Sequence, residues 1–193
     1  MRTLLLAALL CLALPAAADP KPRVKIDTSY GPFVVELEPD LAPRTVANFL
    51  GYVQEGFYPE TVFHRVIQGF MVQGGGLLKD MTRKKAREPI VNEAREAFRA
   101  GLRNVRGAVA MARTDAPDSA TSEFFVDTAD NPLLDPQDLS PAGTGYCVFG
   151  HVVSGMDVVD KIEKVRTIWF HGTPNVPEYP VRIKSAELLP AQP

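Results

Sequence analysis

Hydrophobic positions along this chain recur mostly at spacing two, in short runs broken by glycine and proline, which predicts strands joined by tight turns. Val24-Lys25-Ile26-Asp27-Thr28 alternates as a strand, Tyr30-Gly31-Pro32 turns the chain, and Phe33-Val34-Val35-Glu36-Leu37 brings it back. The run over 61–76 predicts two more strands around a turn at Gly69, closed by Gly74-Gly75-Gly76. Alternation places Phe63, Arg65 and Ile67 on one face of the outgoing strand, and Met71 and Gln73 on one face of the return. Further strands are read over 109–112, 123–126, 146–153 and 181–188; in the second, Glu123 and Phe125 face one way, Phe124 and Val126 the other.

Helical spacing appears over 43–55 and 156–164. Pro43 suits a first turn, Val46, Phe49, Leu50 and Val53 make one apolar stripe, and Gly56 sits where a left-handed cap is wanted. In the second helix Val159 and Ile162 are available to a core. Residues 77–103 read as a surface excursion: Arg83-Lys84-Lys85 as a solvated face, Ile90 as briefly strand-like, 93–100 as a helical turn or two. Residues 113–122, 135–145 and 169–180 read as loops, the last carrying Pro174, Pro177 and Pro180. Many short strands with two helices point to a mainly β fold, a closed barrel capped at its ends.

Composition narrows the function more than the fold. With 193 residues, 46% of them hydrophobic and 23% charged, the chain suits one domain with a full core. Its formal charge is −2, and the absence of a basic stripe with interleaved aromatics argues against a nucleic-acid partner. Residues 1–18 differ from the rest. Arg2, an apolar run over 4–14 and Ala16-Ala17-Ala18 form the pattern of a cleaved secretory signal, too short and wrongly flanked for a stable membrane span. Cleavage is expected after Ala18, leaving 19–193 as a single domain and making the charge one unit more negative. Cys11 follows Leu10, which is bulky where lipid-attachment signals have a small residue. Cys147 then stands alone, so no internal disulfide forms and a buried apolar thiol is expected.

Among candidate groups, Arg65 stands out because a long cation in an apolar hairpin is costly unless something uses it. Its structural reading is a side chain that snorkels to water. His64, His151 and His171 show no metal-ligand spacing, and neither a metal nor a cofactor is expected. The triple glycine lacks the Lys-Ser/Thr of a phosphate loop, and Ser119 and Ser122 lie in no nucleophile elbow.

The run Phe63-His64-Arg65-Val66-Ile67, then Gly69-Phe70-Met71 and Gln73-Gly74-Gly75, resembles the signature of the cyclophilins, which are peptidyl-prolyl cis/trans isomerases. The resemblance continues through 103–107, Met111-Ala112-Arg113, 119–122, Phe124-Phe125 and Val148-Phe149-Gly150, and covers nearly all of 19–193. It implies a closed eight-stranded antiparallel β-barrel capped by two α-helices, and non-covalent, metal-independent catalysis. By the same resemblance Arg65 is the catalytic arginine, and Phe70, Met71, Phe125 and Leu134 form the proline pocket. Gln73, Ala112 and Arg113 hold the substrate backbone and its neighbouring side chains.

Three positions depart from the commonest pattern. Glu123 stands where glutamine is usual beside the arginine; a carboxylate there either holds the guanidinium or neutralises it. Leu133 replaces a tryptophan of many eukaryotic members, and Tyr146 a histidine of the pocket wall; both changes resemble bacterial secreted cyclophilins. Weak cyclosporin binding follows from the missing indole. The expected partners are proline-containing unfolded or flexible polypeptides, met in the periplasm by a monomer that assists folding of exported proteins. A non-catalytic peptide-binding domain is the alternative. Glu123 favours it, and Arg65, Phe70, Gln73 and Phe125 favour the enzyme.

Overall fold

The computed structural model describes residues 20–138 and 140–191, so the leader read over 1–18 lies outside the described residues. In chain order the elements are β1 (Arg23–Thr28), β2 (Gly31–Leu37), α1 (Pro43–Gln54), β3 (Thr61–Ile67), β4 (Met71–Leu78), α2 (Ala94–Arg99), β5 (Ala108–Met111), β6 (Phe124–Asp127), β7 (Val148–Ser154), α3 (Met156–Glu163), β8 (Thr167–Phe170), β9 (Thr173–Pro177) and β10 (Val181–Leu188). Eight strands close a barrel in the order β1-β10-β3-β4-β6-β5-β7-β2, and β8 and β9 form a separate two-stranded ribbon. Closure leaves none of those eight strands with an unpaired edge.

Inward side chains of alternate strand positions fill the barrel, with Val24, Ile26, Phe33, Val35, Phe63 and Ile183 all buried. Around Phe49 of α1 the core turns aromatic. Its ring lies 5.3 Å from Tyr58, 5.7 Å from Phe124 and 5.1 Å from Phe149. The same helix begins without a side-chain cap of its own. Glu93, which immediately precedes α2, supplies one from across the chain: the amides of Arg44 and Thr45 donate to its carboxylate at 3.1 and 2.8 Å. A negative charge is favoured there because the first-turn N–H groups lack intrahelical acceptors.

The barrel is as expected, with three helices in place of two. The third, α2, is the helical turn or two read over 93–100, and it buries only Ala94 and Ala97. Residues expected as a loop over 169–180 instead form the β8–β9 ribbon. Its two-residue turn places His171 at φ 46° and Gly172 at φ 82°, the left-handed pair that suits a tight hairpin. Pro174 and Pro177 fit because β9 is an edge strand with an unpaired side. The Arg83-Lys84-Lys85 run is not simply solvated either. Lys84 donates to the carbonyls of Phe57 and Pro59 and sits 4.8 Å over the Phe57 ring. Cys147 is buried, and burial above all pushes its thiol up to about 12. Among the described residues no helix is long and apolar enough to cross a membrane.

Candidate active site

Simple alternation fails on β3. Phe63 pairs with Gly74 and Arg65 with Gln73, so two steps on β3 meet one on β4. This β-bulge turns the strand over between the two residues. Phe63 therefore points inward, its ring 6.4 Å from Phe33 and 5.9 Å from Phe124. Arg65 emerges on the opposite face beside Gln73, so Phe63 and Arg65 do not share a face as alternation predicts. The crossing is tight: a Cβ on Gly74 would lie 2.8 Å from the Val62 carbonyl oxygen and 3.0 Å from Phe63 Cα. Only glycine leaves that space.

Arg65 stands at the rim of a cup of about 130 Å³ lined also by Phe70, Met71, Gln73, Ala112, Arg113, Phe125, Leu134 and Tyr146. Phe125 and Met71 are buried, and Tyr146 meets Phe125 edge-on at 5.7 Å between ring centroids. The main chain fixes the walls. The Phe70 carbonyl accepts from the Thr128 amide at 3.0 Å and from Asn131 Nδ2 at 2.8 Å, and the Leu134 carbonyl accepts from the Tyr146 amide at 2.9 Å. Such a cup offers one small ring an apolar seat with a guanidinium at its lip.

The guanidinium is held without being neutralised. One of its nitrogens donates to Gln73 Oε1 at 3.2 Å, its only hydrogen bond among the described residues. Gln73 Nε2 in turn donates to Glu123 Oε2 at 2.9 Å. Glu123 reaches Arg65 only through this amide. Its other contacts are Arg83 at 2.5 Å and His64 Nε2 at 3.4 Å. Burial tends to raise the Glu123 carboxyl, but His64, Arg83 and Gln73 outweigh it and bring the group down to about 2. A Cβ on Gly76 would strike its side chain at 2.3 Å, so the third glycine of β4 makes room for the carboxylate.

Nine of the eleven residues singled out in the sequence are thus gathered around one hollow. Glu123 lies behind it, and Leu133 stands outside with 86% of its surface exposed. Arg113 lines the cup with its donors already engaged, giving to the carbonyls of Gly145 at 3.0 Å and Thr114 at 2.9 Å. Sequence reasoning missed Arg83, read as solvent-facing, and Asn131, which in Asp130-Asn131-Pro132 looks like an ordinary turn residue. Among the described residues no group of three or more His, Cys, Asp or Glu side chains is gathered as a metal ion would need.

Comparison with known proteins agrees with this geometry. The family model described as cyclophilin type peptidyl-prolyl cis-trans isomerase/CLD matches residues 23–188. Peptidyl-prolyl cis-trans isomerase B of Escherichia coli is 54% identical over 144 residues, 75% of this chain and 85% of that protein. Peptidyl-prolyl cis-trans isomerase A of Dickeya dadantii is 47% identical over 173 residues, 90% of this chain and 87% of that one. A crystal structure of a Cryptosporidium parvum cyclophilin superposes with a TM-score of 0.73 at 25% identity, covering 88% of this chain and 98% of the other. The same protein, crystallised in the presence of the dipeptide Ala-Pro, gives 0.72, with 87% and 99% covered. With a family match from the first barrel strand to the last, and an arginine overhanging an apolar cup, this chain belongs to the cyclophilin-type peptidyl-prolyl cis-trans isomerases.

Proposed function

We propose that this isomerase is a secreted bacterial cyclophilin that acts in the periplasm on X-Pro bonds of exported polypeptides and so assists their folding. The chemistry rests on one juxtaposition, the Arg65 guanidinium at the lip of the cup formed by Phe70, Met71, Phe125 and Leu134. An Ala-Pro unit, of the kind present with the Cryptosporidium protein, has a ring of the right sort to sit there. The bacterial relatives and the leader pattern over 1–18 support the cellular setting.

An X-Pro bond resists rotation because the nitrogen lone pair is shared with the carbonyl, giving a barrier of about 18–20 kcal/mol and exchange over tens of seconds or more. Twisting the bond returns that lone pair to nitrogen, which becomes a better acceptor. Arg65 then donates most strongly to the twisted state, and this is differential stabilisation of the transition state. The apolar walls hold the ring while the preceding carbonyl swings, and they strengthen the contact by excluding water. Reaching about 10 turnovers per second needs roughly 4 kcal/mol of such stabilisation, within reach of one well-placed charged donor. Gln73 keeps the donor aimed and, being neutral, leaves its charge available.

Five outcomes follow from this reading. Arg65→Ala lowers kcat/KM in a protease-coupled proline-tetrapeptide assay by about 100-fold, and Arg65→Lys recovers little because it lacks the planar fork. An unchanged rate with either variant overturns the assignment. Glu123→Gln leaves kcat/KM within about threefold, since a side-chain amide still accepts from Gln73; a gain of tenfold or more shows that the native carboxylate interferes with Arg65. The same variant changes acid stability. With its carboxyl lowered from 4.5 to about 2, Glu123 stabilises the fold above pH 4.5 and loses that effect as pH falls toward 2. Urea titrations should find a wild-type advantage of roughly 2 kcal/mol at neutral pH that fades through this window. Cyclosporin, lacking an indole donor at Leu133, binds in the micromolar range or weaker by calorimetry; a nanomolar constant contradicts this. Finally, N-terminal sequencing of protein recovered from a bacterial periplasm should begin at Asp19, and recovery of the intact leader in the cytoplasm would refute export.

A further inference from the structure

Beside Phe70 and Met71 of the cup lies a polar cluster that the catalytic arrangement does not use. Asp127, the last residue of β6, is fully buried. Its Oδ1 accepts from Asn131 Nδ2 at 2.6 Å, and its Oδ2 has no hydrogen-bond partner among the described residues. The same Asn131 nitrogen donates to the Phe70 carbonyl at 2.8 Å. Asn131 is tied down through its main chain as well, its amide donating to the Asn104 carbonyl at 2.8 Å and its carbonyl accepting from Leu134 at 2.9 Å. One side-chain amide therefore spans a buried carboxyl and a wall residue of the proline cup.

We propose that Asp127 is a positioning residue for the isomerase, fixing the Phe70 carbonyl, and with it one wall of the proline cup, through the Asn131 amide. The argument is one of donor and acceptor inventory. An ionised carboxylate only accepts, so it compels Asn131 to present its NH2 group, and the second hydrogen of that group then falls to Phe70. A protonated Asp127 donates instead. That admits the opposite amide orientation, in which Asn131 Oδ1 faces the acid and Phe70 keeps only the Thr128 amide.

The surroundings make that proton exchangeable near neutrality. Burial drives the carboxyl up, the Asn131 bond opposes it, and the charges of Asp135 and Asp130 add to the rise, which brings it to about 7. Nearby cations are engaged elsewhere. Arg106 donates to the Thr128 carbonyl at 2.8 Å and forks onto Asp160 of α3 at 2.7 and 2.8 Å, and its amide donates to Asp130. Asp135 is taken by the amide and side chain of Asn104, both at 2.8 Å. At the start of the same turn Glu163 of α3 accepts from the Gly69 amide at 2.8 Å.

The test is a pH profile of kcat and KM, separately, on a proline tetrapeptide between about pH 5.5 and 8.5. Wild type should show KM rising about fivefold as pH falls through about 7, the scale of one lost hydrogen bond, with little change in kcat. Asp127→Asn should show a single KM across the range, and Asn131→Ala should remove the inflection and raise KM throughout. A wild-type KM without inflection, an inflection that survives in Asp127→Asn, or one that survives in Asn131→Ala each overturns the proposal. The second of these would assign the titration to another group. Melting temperatures give an independent reading. Asp127→Asn should exceed wild type at about pH 8 by more than at about pH 5, because only the acid must ionise in a buried site. A difference that does not grow with pH overturns the ionisation on which the proposal depends.

Discussion

Two residues of β3 stand where one of β4 would serve, and this irregularity divides the hairpin's chemistry. With strict alternation Phe63 and Arg65 would share a face. Either the guanidinium would lie inside the barrel among Phe33 and Phe124, or the phenyl ring would lie in the cup. A buried, unpaired guanidinium costs several kcal/mol, and an expelled core phenylalanine about as much, so neither arrangement is tolerable. The bulge removes the conflict by turning the strand over within a residue. The residue at the bulge is His64, whose ring lies against Glu123, so the device that aims the arginine also supplies part of the environment that keeps the carboxylate ionised.

An arginine that stabilises a twisted imide must be held still and yet stay positive toward the substrate. A carboxylate in direct contact would do the first at the expense of the second. Placing Gln73 between them separates the two requirements, because a neutral amide oxygen aims the guanidinium while Glu123 orients the amide. Since an ionised carboxylate cannot donate, it also decides which end of Gln73 faces Arg65. The charge of Glu123 is in turn met by Arg83 on the opposite side from the cup. The alternatives that the sequence left open, holding or neutralising, thus have a structural answer: the carboxylate holds the arginine at one remove.

Much of this was legible in the residues. The strands of the barrel follow from period-two patterning, and the helix beginning at Pro43 from its apolar stripe, because burial on one face writes itself into the composition of every such element. What escaped was of three kinds. The bulge at His64 has no composition of its own; three glycines on the neighbouring strand hint at close approach but not at which residue is doubled. The ribbon of β8 and β9 contains prolines that normally argue against strands, and only its place at an edge, a tertiary fact, makes them acceptable. Arg83 and Asn131 look like a charge run and a turn because their partners, Glu123 and Phe70, lie far away in sequence.

Glu123 and Asp127 bracket the same short strand, β6, and their environments pull in opposite directions. The first is ringed by donors and cations and falls to about 2; the second has one amide, two acidic neighbours and an unmatched oxygen, and rises to about 7. The consequences for the fold have opposite sign. Glu123 favours the folded state above pH 4.5 and loses that effect as pH falls toward 2. Asp127 favours it while protonated, an effect that erodes as pH climbs from the usual 3.8 to about 7. Each end of the strand is suited to what it supports. At the end serving Arg65 the group behind Gln73 has only to remain an acceptor, and a carboxyl held down to about 2 does so in all working conditions. The end serving Phe70 needs only to orient one amide, a weaker demand that a carboxyl poised near neutrality meets when ionised and relaxes when not.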